Sequence, residues 1–198
     1  MTDSSFPTQK KAVIYKKLSD CVKAFKFEEA VKLGKQHNMT LTSADMDRII
    51  NSLVAQREES LDTISNPHQL DQRIKALLRY RDNGCDPEKI IEKTVLPEGY
   101  NGKILMATIM GGVINRLVCL RSGDLWHREI LKNTENEIRD LGFSKSSVYA
   151  LGGAYVRFEK NNDIVIYGTS DEFGSCDKLS ASRLIKKVFK DRKIFVMD

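Results

Sequence analysis

The chain has 198 residues, 41% of them hydrophobic and 30% charged, with a formal net charge of +5. That balance suits a soluble globular protein of one large or two small domains, able to bury an apolar core without disulfide staples. The mild basicity accommodates an anionic ligand or nucleic acid without demanding either, and a solvated lysine surface is the plainer reading.

At the start, MTDSSFPTQKK lacks the apolar stretch of a signal peptide, and no later run approaches the roughly 18 apolar residues of a membrane span. The four cysteines, Cys21, Cys85, Cys119 and Cys176, are scattered with no CxxC pair. They signal neither a zinc site nor a disulfide framework, and reduced thiols in a cytoplasmic setting are expected.

Residues 1–96 read as helices. KKAVIYKKLSDCVKAF places Val13, Leu18 and Val22 at helical spacings, and KFEEAVKLGKQHNM follows with Phe27, Ala30, Val31 and Leu33. TSADMDRIINSLVAQREES opens on Thr42 or Ser43 as a cap. Asn66-Pro67 breaks the pattern and starts a helix that Gly84 can end, and DPEKIIEKTVL reads as a last short helix with Pro87 in its first turn. Two segments, FKFEEAVKLGKQHNMTLTSADMDRIINSL and QLDQRIKALLRYRDNGCDPEKII, look like tetratricopeptide or pentatricopeptide hairpins, which often present a groove to a protein partner. An irregular helical bundle is the plainer reading.

Residues 97–198 have a different grammar. LPEGYNGK is a turn-rich link, followed by strand-like runs at 103–110, 113–121, 148–159, 163–168 and 193–197, with KNND as a hairpin turn. Two helical stretches, GDLWHREILKNTENEIRDLGF and DKLSASRLIKKVFK, punctuate them. The expected class is α+β: a mixed β-sheet flanked by two helices, preceded by an all-α, helical-hairpin-like domain.

His127 is the residue of most chemical interest. Asp124 is a natural N-cap, which would put Leu125, Trp126 and His127 in the first turn. Leu131, Thr134, Ile138 and Leu141 follow His127 at helical spacings, so the histidine would face the sheet at the helix's positive end. That field favours the neutral imidazole that a nucleophile or general base needs. Packing at a domain edge explains the same spacing. His37 and His68 have no identifiable partners and read as surface residues.

The loop YGTSDEFG follows a strand and is bracketed by Gly168 and Gly174. Successive main-chain N–H groups there can form a nest for an anion such as phosphate, with the hydroxyl of Thr169 or Ser170 as a further donor. A plain strand-to-helix connection, with Ser175 or Asp177 capping the next helix, is the alternative. Asp171 and Glu172 would repel phosphate unless they point outward.

These pieces, WHREI, LGGAYV and Tyr167-Gly168-Thr169-Ser170-Asp171-Glu172-Phe173-Gly174, resemble in content and order the phosphohistidine phosphatase, or janus, family. The similarity spans about residues 100–198. It implies a compact sheet-and-helix domain acting without metal or cofactor on phosphorus–nitrogen bonds of a phosphorylated protein. His127 matches the catalytic histidine, Ser170 and the Glu172 backbone match the phosphate-holding loop, and Lys103 matches a basic residue early in the first strand. Ala154 and Tyr155 stand where the family has glycine and then arginine, and Arg157, two residues on and on the same strand face, is the substitute at hand; Cys119 falls near the family's basic residue on the second strand, where Arg121 is the nearest same-face candidate. Asp171 and Glu172 are further members of the candidate site, Glu172 replacing a small residue.

Two rival readings remain. A non-catalytic adaptor would keep the anion pocket while the helical half docks a partner. An RNA-binding protein is less favoured, because no aromatic-basic interleaving supports base stacking.

Overall fold

The computed structural model describes residues 6–59 and 67–197, which leaves the expected break at Asn66 and the side chain of His68 outside the described residues. The chain forms two compact units, Met1–Ile91 with Ile138–Ser144 and Glu92–Glu137 with Lys145–Asp198.

The first unit holds α1 (Phe6–Lys23), α2 (Phe27–His37), α3 (Ser43–Glu59), α4 (Pro67–Asn83) and α5 (Pro87–Ile90). α1 packs with α2 and α3 with α4, while α5 contacts both α4 and α2. Its centre is Phe27, fully buried, with ring centroids 5.6 Å from Tyr80 and 6.3 Å from Phe143. Such ring pairs add to the large apolar area each buries. Thr42 opens α3 as expected: its hydroxyl accepts from the Asp45 N–H at 3.2 Å and donates to the Asp45 carboxylate at 2.7 Å. Gly84 stops α4 at φ 65°, donating its N–H to the Tyr80 carbonyl at 2.8 Å. His37, read as a surface residue, is half-buried at the end of α2.

DPEKIIEKTVL departs from its expected helix. Only Pro87–Ile90 is helical, with the Asp86 carboxylate capping at the Glu88 N–H, and Thr94–Val95 is a strand. Pairing of Thr94 and Val95 with Leu120 and Arg121 overrides the local helical pattern.

The second unit is a six-stranded sheet of β1 (Thr94–Val95), β2 (Gly102–Gly111), β3 (Ile114–Gly123), β4 (Ser147–Phe158), β5 (Ile164–Tyr167) and β6 (Ile194–Val196), ordered β1-β3-β2-β4-β5-β6. Both outer pairs, β1 with β3 and β5 with β6, are parallel and the rest antiparallel, so the sheet is mixed. Period-two alternation sends Ile104, Met106, Leu120, Ala154, Val156 and Ile166 to one face, where they pack with Ala181 and Ile185 of α7 (Lys178–Val188). Lys103, Leu105, Arg121 and Gly153 lie on the other face, beneath α6 (His127–Asp140). This is the expected mixed sheet with a helix on each face. The KNND turn closes as expected, with the Asn162 N–H on the Glu159 carbonyl at 3.1 Å and Asn162 at φ 74°.

Asp177 caps α7, accepting from the N–H groups of Leu179 and Ser180, both at 3.1 Å, and from the Ser180 hydroxyl at 2.6 Å. Ser180, through side chain and backbone, holds this carboxyl below the usual aspartate value. A depressed folded-state pKa contributes stability above the unfolded value and loses it as pH falls through the folded one. Asp177→Asn is therefore expected to flatten the acid limb of thermal stability below about pH 4 while changing the neutral melting temperature little, since asparagine also caps. Melting curves from pH 2 to 7 provide the check.

Candidate functional site

The register across β3, β2, β4 and β5 sets two adjacent rows on the α6 face. One is Gly123–Lys103–Tyr155–Tyr167, and the next is Arg121–Leu105–Gly153. Gly123 lets α6 approach: a Cβ there would lie 3.0 Å from Ile130 Cγ1. His127, first residue of α6 and only 4% exposed, lies directly over Gly153. A Cβ on Gly153 would fall 2.5 Å from His127 Cδ2, 2.6 Å from Nε2 and 2.8 Å from the Ser170 Cβ. The start of a helix, a glycine of β4 and the loop after β5 thus meet at one point.

The imidazole is oriented by the backbone. Nε2 of His127 stands 3.3 Å from the Ala154 carbonyl oxygen. A carbonyl can only accept, so Nε2 carries a proton, and Nδ1 is the nitrogen that bears the lone pair in a neutral ring. Tyr155 sets its ring edge-on to the imidazole with centroids 5.9 Å apart, and stacks on Tyr167 at 5.7 Å.

Asp124 does not cap α6. The helix begins at His127, and Trp126 occupies the cap position without an acceptor side chain. Glu129 reaches back to the Trp126 N–H at 2.9 Å, half of a capping box. The missing half comes from 44 residues away: the Glu172 carboxylate accepts from the Arg128 N–H at 2.9 Å and lies 3.6 Å from Arg128 Nε. Glu172 therefore points inward to the helix end rather than outward. The capping-box spacing from Trp126 to Glu129 was the signal that could have placed the helix start, whereas nothing in the sequence announced Arg128 as Glu172's partner.

The 168–174 loop is closed on itself. Ser170 and Gly174 form an isolated bridge, with the Gly174 N–H on the Ser170 carbonyl at 2.9 Å. The N–H groups of Glu172 and Phe173 point at Ser170 Oγ, at 3.3 and 3.2 Å. Ser170 is 2% exposed, so its hydroxyl is the loop's inner acceptor, where an outward donor was expected. Gly153 then clips the loop to β4: its N–H meets the Gly174 carbonyl at 2.9 Å, and the Cys176 N–H meets its carbonyl at 3.3 Å.

The other candidates divide. Lys103 reaches the site, its Nζ 5.4 Å from the centroid of Trp126, whose ring is 59% exposed and so lies at the surface beside the site. Asp171 is exposed on the loop. Arg157 is held aside, paired with Glu159 at 2.5 Å and set over the Tyr167 ring at 5.3 Å. Arg121 is not a free cation. It is buried, with Nε and Nη2 on the two oxygens of Glu137 at 2.8 and 3.0 Å and Nη1 on the Leu120 carbonyl. Burial disfavours its charge, but Glu137 beside it more than offsets this and keeps the guanidinium protonated. Arg157, expected to replace the arginine missing at Tyr155, and Arg121, expected to replace the basic residue of the second strand, are thus both engaged elsewhere.

Burial pushes the thiols of Cys119 and Cys176 above their ordinary value, so neither is a ready nucleophile. Among the described residues, no cluster of three or more His, Cys, Asp or Glu side chains is arranged to hold a metal, and no helix is long and apolar enough to cross a membrane.

Residues 98–193 match the sequence model of the Janus/Ocnus family (Ocnus), so this stretch is Janus-like. No curated protein matches the chain.

Proposed function

We propose, taking that likeness as the premise, that the second unit is a hydrolase of protein-borne phosphoramidates such as phosphohistidine, with His127 the group that meets phosphorus. The observation that supports this most is the Nε2–Ala154 contact, which leaves Nδ1 of a neutral imidazole with its lone pair at the positive end of α6. Nδ1 can attack phosphorus as the phosphorus–nitrogen bond breaks and the leaving nitrogen takes a proton; water then cleaves the phosphoryl-imidazole and releases phosphate. Alternatively, Nδ1 accepts the proton of a water that attacks phosphorus directly. Lys103, which has no ion pair among the described residues, supplies the positive charge for the phosphoryl oxygens. No cofactor or metal takes part in this scheme.

A second reading has its own observation. Arg121 and Arg157 are both paired with carboxylates, which leaves few cations to stabilise charge developing in a transition state and favours a non-hydrolytic reader of phosphorylated protein. In either case the helical unit serves to dock a protein partner; its groove of about 490 Å³, lined by Ser19, Asp45, Ile49, Leu53 and neighbours from α1, α3 and α4, is the place available. Neither reading calls for nucleic acid or membrane.

One assay separates them: release of phosphate from phosphohistidine by wild type, His127→Ala and Glu172→Ala. The hydrolase reading expects turnover that His127→Ala abolishes and Glu172→Ala raises severalfold, because a carboxylate that repels phosphate is gone. Phosphate binding with no turnover in any of the three chains would leave the reader and remove the hydrolase.

A further inference from the structure

Away from His127, on the opposite face of the sheet, α7 and the turn after it carry a concentration of positive charge. Residues 178–193 hold seven basic side chains and one acidic, Asp191. Three of the seven serve the fold: Lys178 donates to the Met197 carbonyl at 2.8 Å, Lys186 to the Arg192 carbonyl at 2.8 Å, and Arg192 pairs with Glu98. Arg183, Lys187 and Lys190 are exposed, and none forms an ion pair with a carboxylate among the described residues. Together with Ser182, Lys186 and Ile194 they line an open groove of about 710 Å³.

The groove runs beside the open edge of the sheet. β6 is the outermost strand, parallel to β5 with Ile164 opposite Ile194 and Ile166 opposite Val196. The Ile164 N–H meets the Lys193 carbonyl and the Met197 N–H meets the Ile166 carbonyl, both at 2.8 Å. Main-chain groups alternate in direction along a strand, so those of Ile194 and Val196 point away from β5. Such an edge is a template for another strand. The side chain of Ile194 packs on the α7 side, which sends that of Phe195 to the other face.

We propose that this edge and groove form a docking site for an extended acidic peptide. It would add as a strand beside β6 and lay alternate Asp or Glu side chains over Arg183, Lys186, Lys187 and Lys190. Main-chain hydrogen bonds provide affinity in this mode and alternate side chains provide selectivity. The charge in the groove fits a polyanion, and the free ladder positions favour peptide over RNA. RNA has no strand backbone to pair, and the groove lining contains no aromatic platform for bases. Docking there leaves the His127 face of the sheet open.

The probe is a fluorescein-labelled heptapeptide of alternating glutamate and valine, titrated by anisotropy into the full chain, with a lysine-valine peptide and a uridine 15-mer as comparisons. Saturable binding of the acidic peptide is expected, weakening with salt and falling about tenfold or more in Arg183→Glu/Lys190→Glu, a loss of about 1.4 kcal/mol. Val196→Pro keeps every charge but removes the outward N–H at a position where an edge strand tolerates proline, and is expected to weaken binding similarly. Circular dichroism confirms that each variant is folded. Peptide binding that survives Val196→Pro overturns strand addition. Absence of peptide binding, or binding of the uridine strand alone, overturns the site as a peptide dock.

Discussion

Arg121→Ala is expected to destabilise the second unit by about 3–5 kcal/mol, the cost of leaving a buried carboxylate without its partner. The pair it breaks is bidentate, at 2.8 and 3.0 Å, and the Arg121 and Glu137 side chains are only 4% and 9% exposed. Glu137→Ala should cost a comparable amount, because the guanidinium would then be the buried and unpaired charge. The discriminating variant is Arg121→Met/Glu137→Leu, which removes both charges at similar volume and is expected to sit within about 1–2 kcal/mol of wild type, on either side. Urea unfolding followed by the fluorescence of Trp126, the chain's single tryptophan and part of this unit, reads each change. If the double variant proves as unstable as either single one, the pair is not what holds α6 to the sheet. The same experiment bears on function. A cation bound this way cannot swing to a phosphoryl group, so Arg121 variants that remain folded should leave phosphate binding unchanged.

The strands and most helices were legible because their signals are local. The strand-like runs KILMATIM and VYALGGAYV, the Thr42 cap, Gly84 and the KNND turn each act within a few residues, and the structure places elements at all of them. Thr94–Val95 was not legible, since its strand character comes from β3, more than twenty residues on. The start of α6 escaped for a related reason. Asp124 offered a cap by type, but the acceptor actually used comes from Glu172 on another element, and no local rule connects residues 128 and 172. The candidate site follows the same division. Resemblance to a family, in content and order, brought His127, the glycine pair and the 167–174 loop into one list, and folding does bring His127, Gly153 and Ser170 together. Where side chains had to be assigned a direction, the outcome depended on partners outside the segment. Arg121 turned to Glu137, Arg157 to Glu159, and Ser170 Oγ inward to its own loop.

That meeting point also carries the sharpest steric prediction. Gly153→Ala adds one carbon where three heavy atoms lie within 2.8 Å, two of them in the His127 ring. The ring cannot yield easily, since Nε2 is engaged by Ala154 and Tyr155 stands edge-on beside it. The clipped loop cannot yield without losing the Gly153–Gly174 and Cys176–Gly153 hydrogen bonds. Overpacking of this kind costs about 1–3 kcal/mol, and the short contacts place Gly153→Ala near the top of that range. A displacement of the imidazole by about 1 Å is enough to lower a catalysed rate by about 100-fold. On the hydrolase reading, stability and phosphohistidine turnover should therefore fall together in Gly153→Ala. The coupling can be isolated with His127→Ala, which clears two of the three contacts: the double variant should lose less stability than the two single changes summed, because neighbours in contact are not additive. Strict additivity would mean that the ring moves aside at no cost and that Gly153 is not the seat of His127.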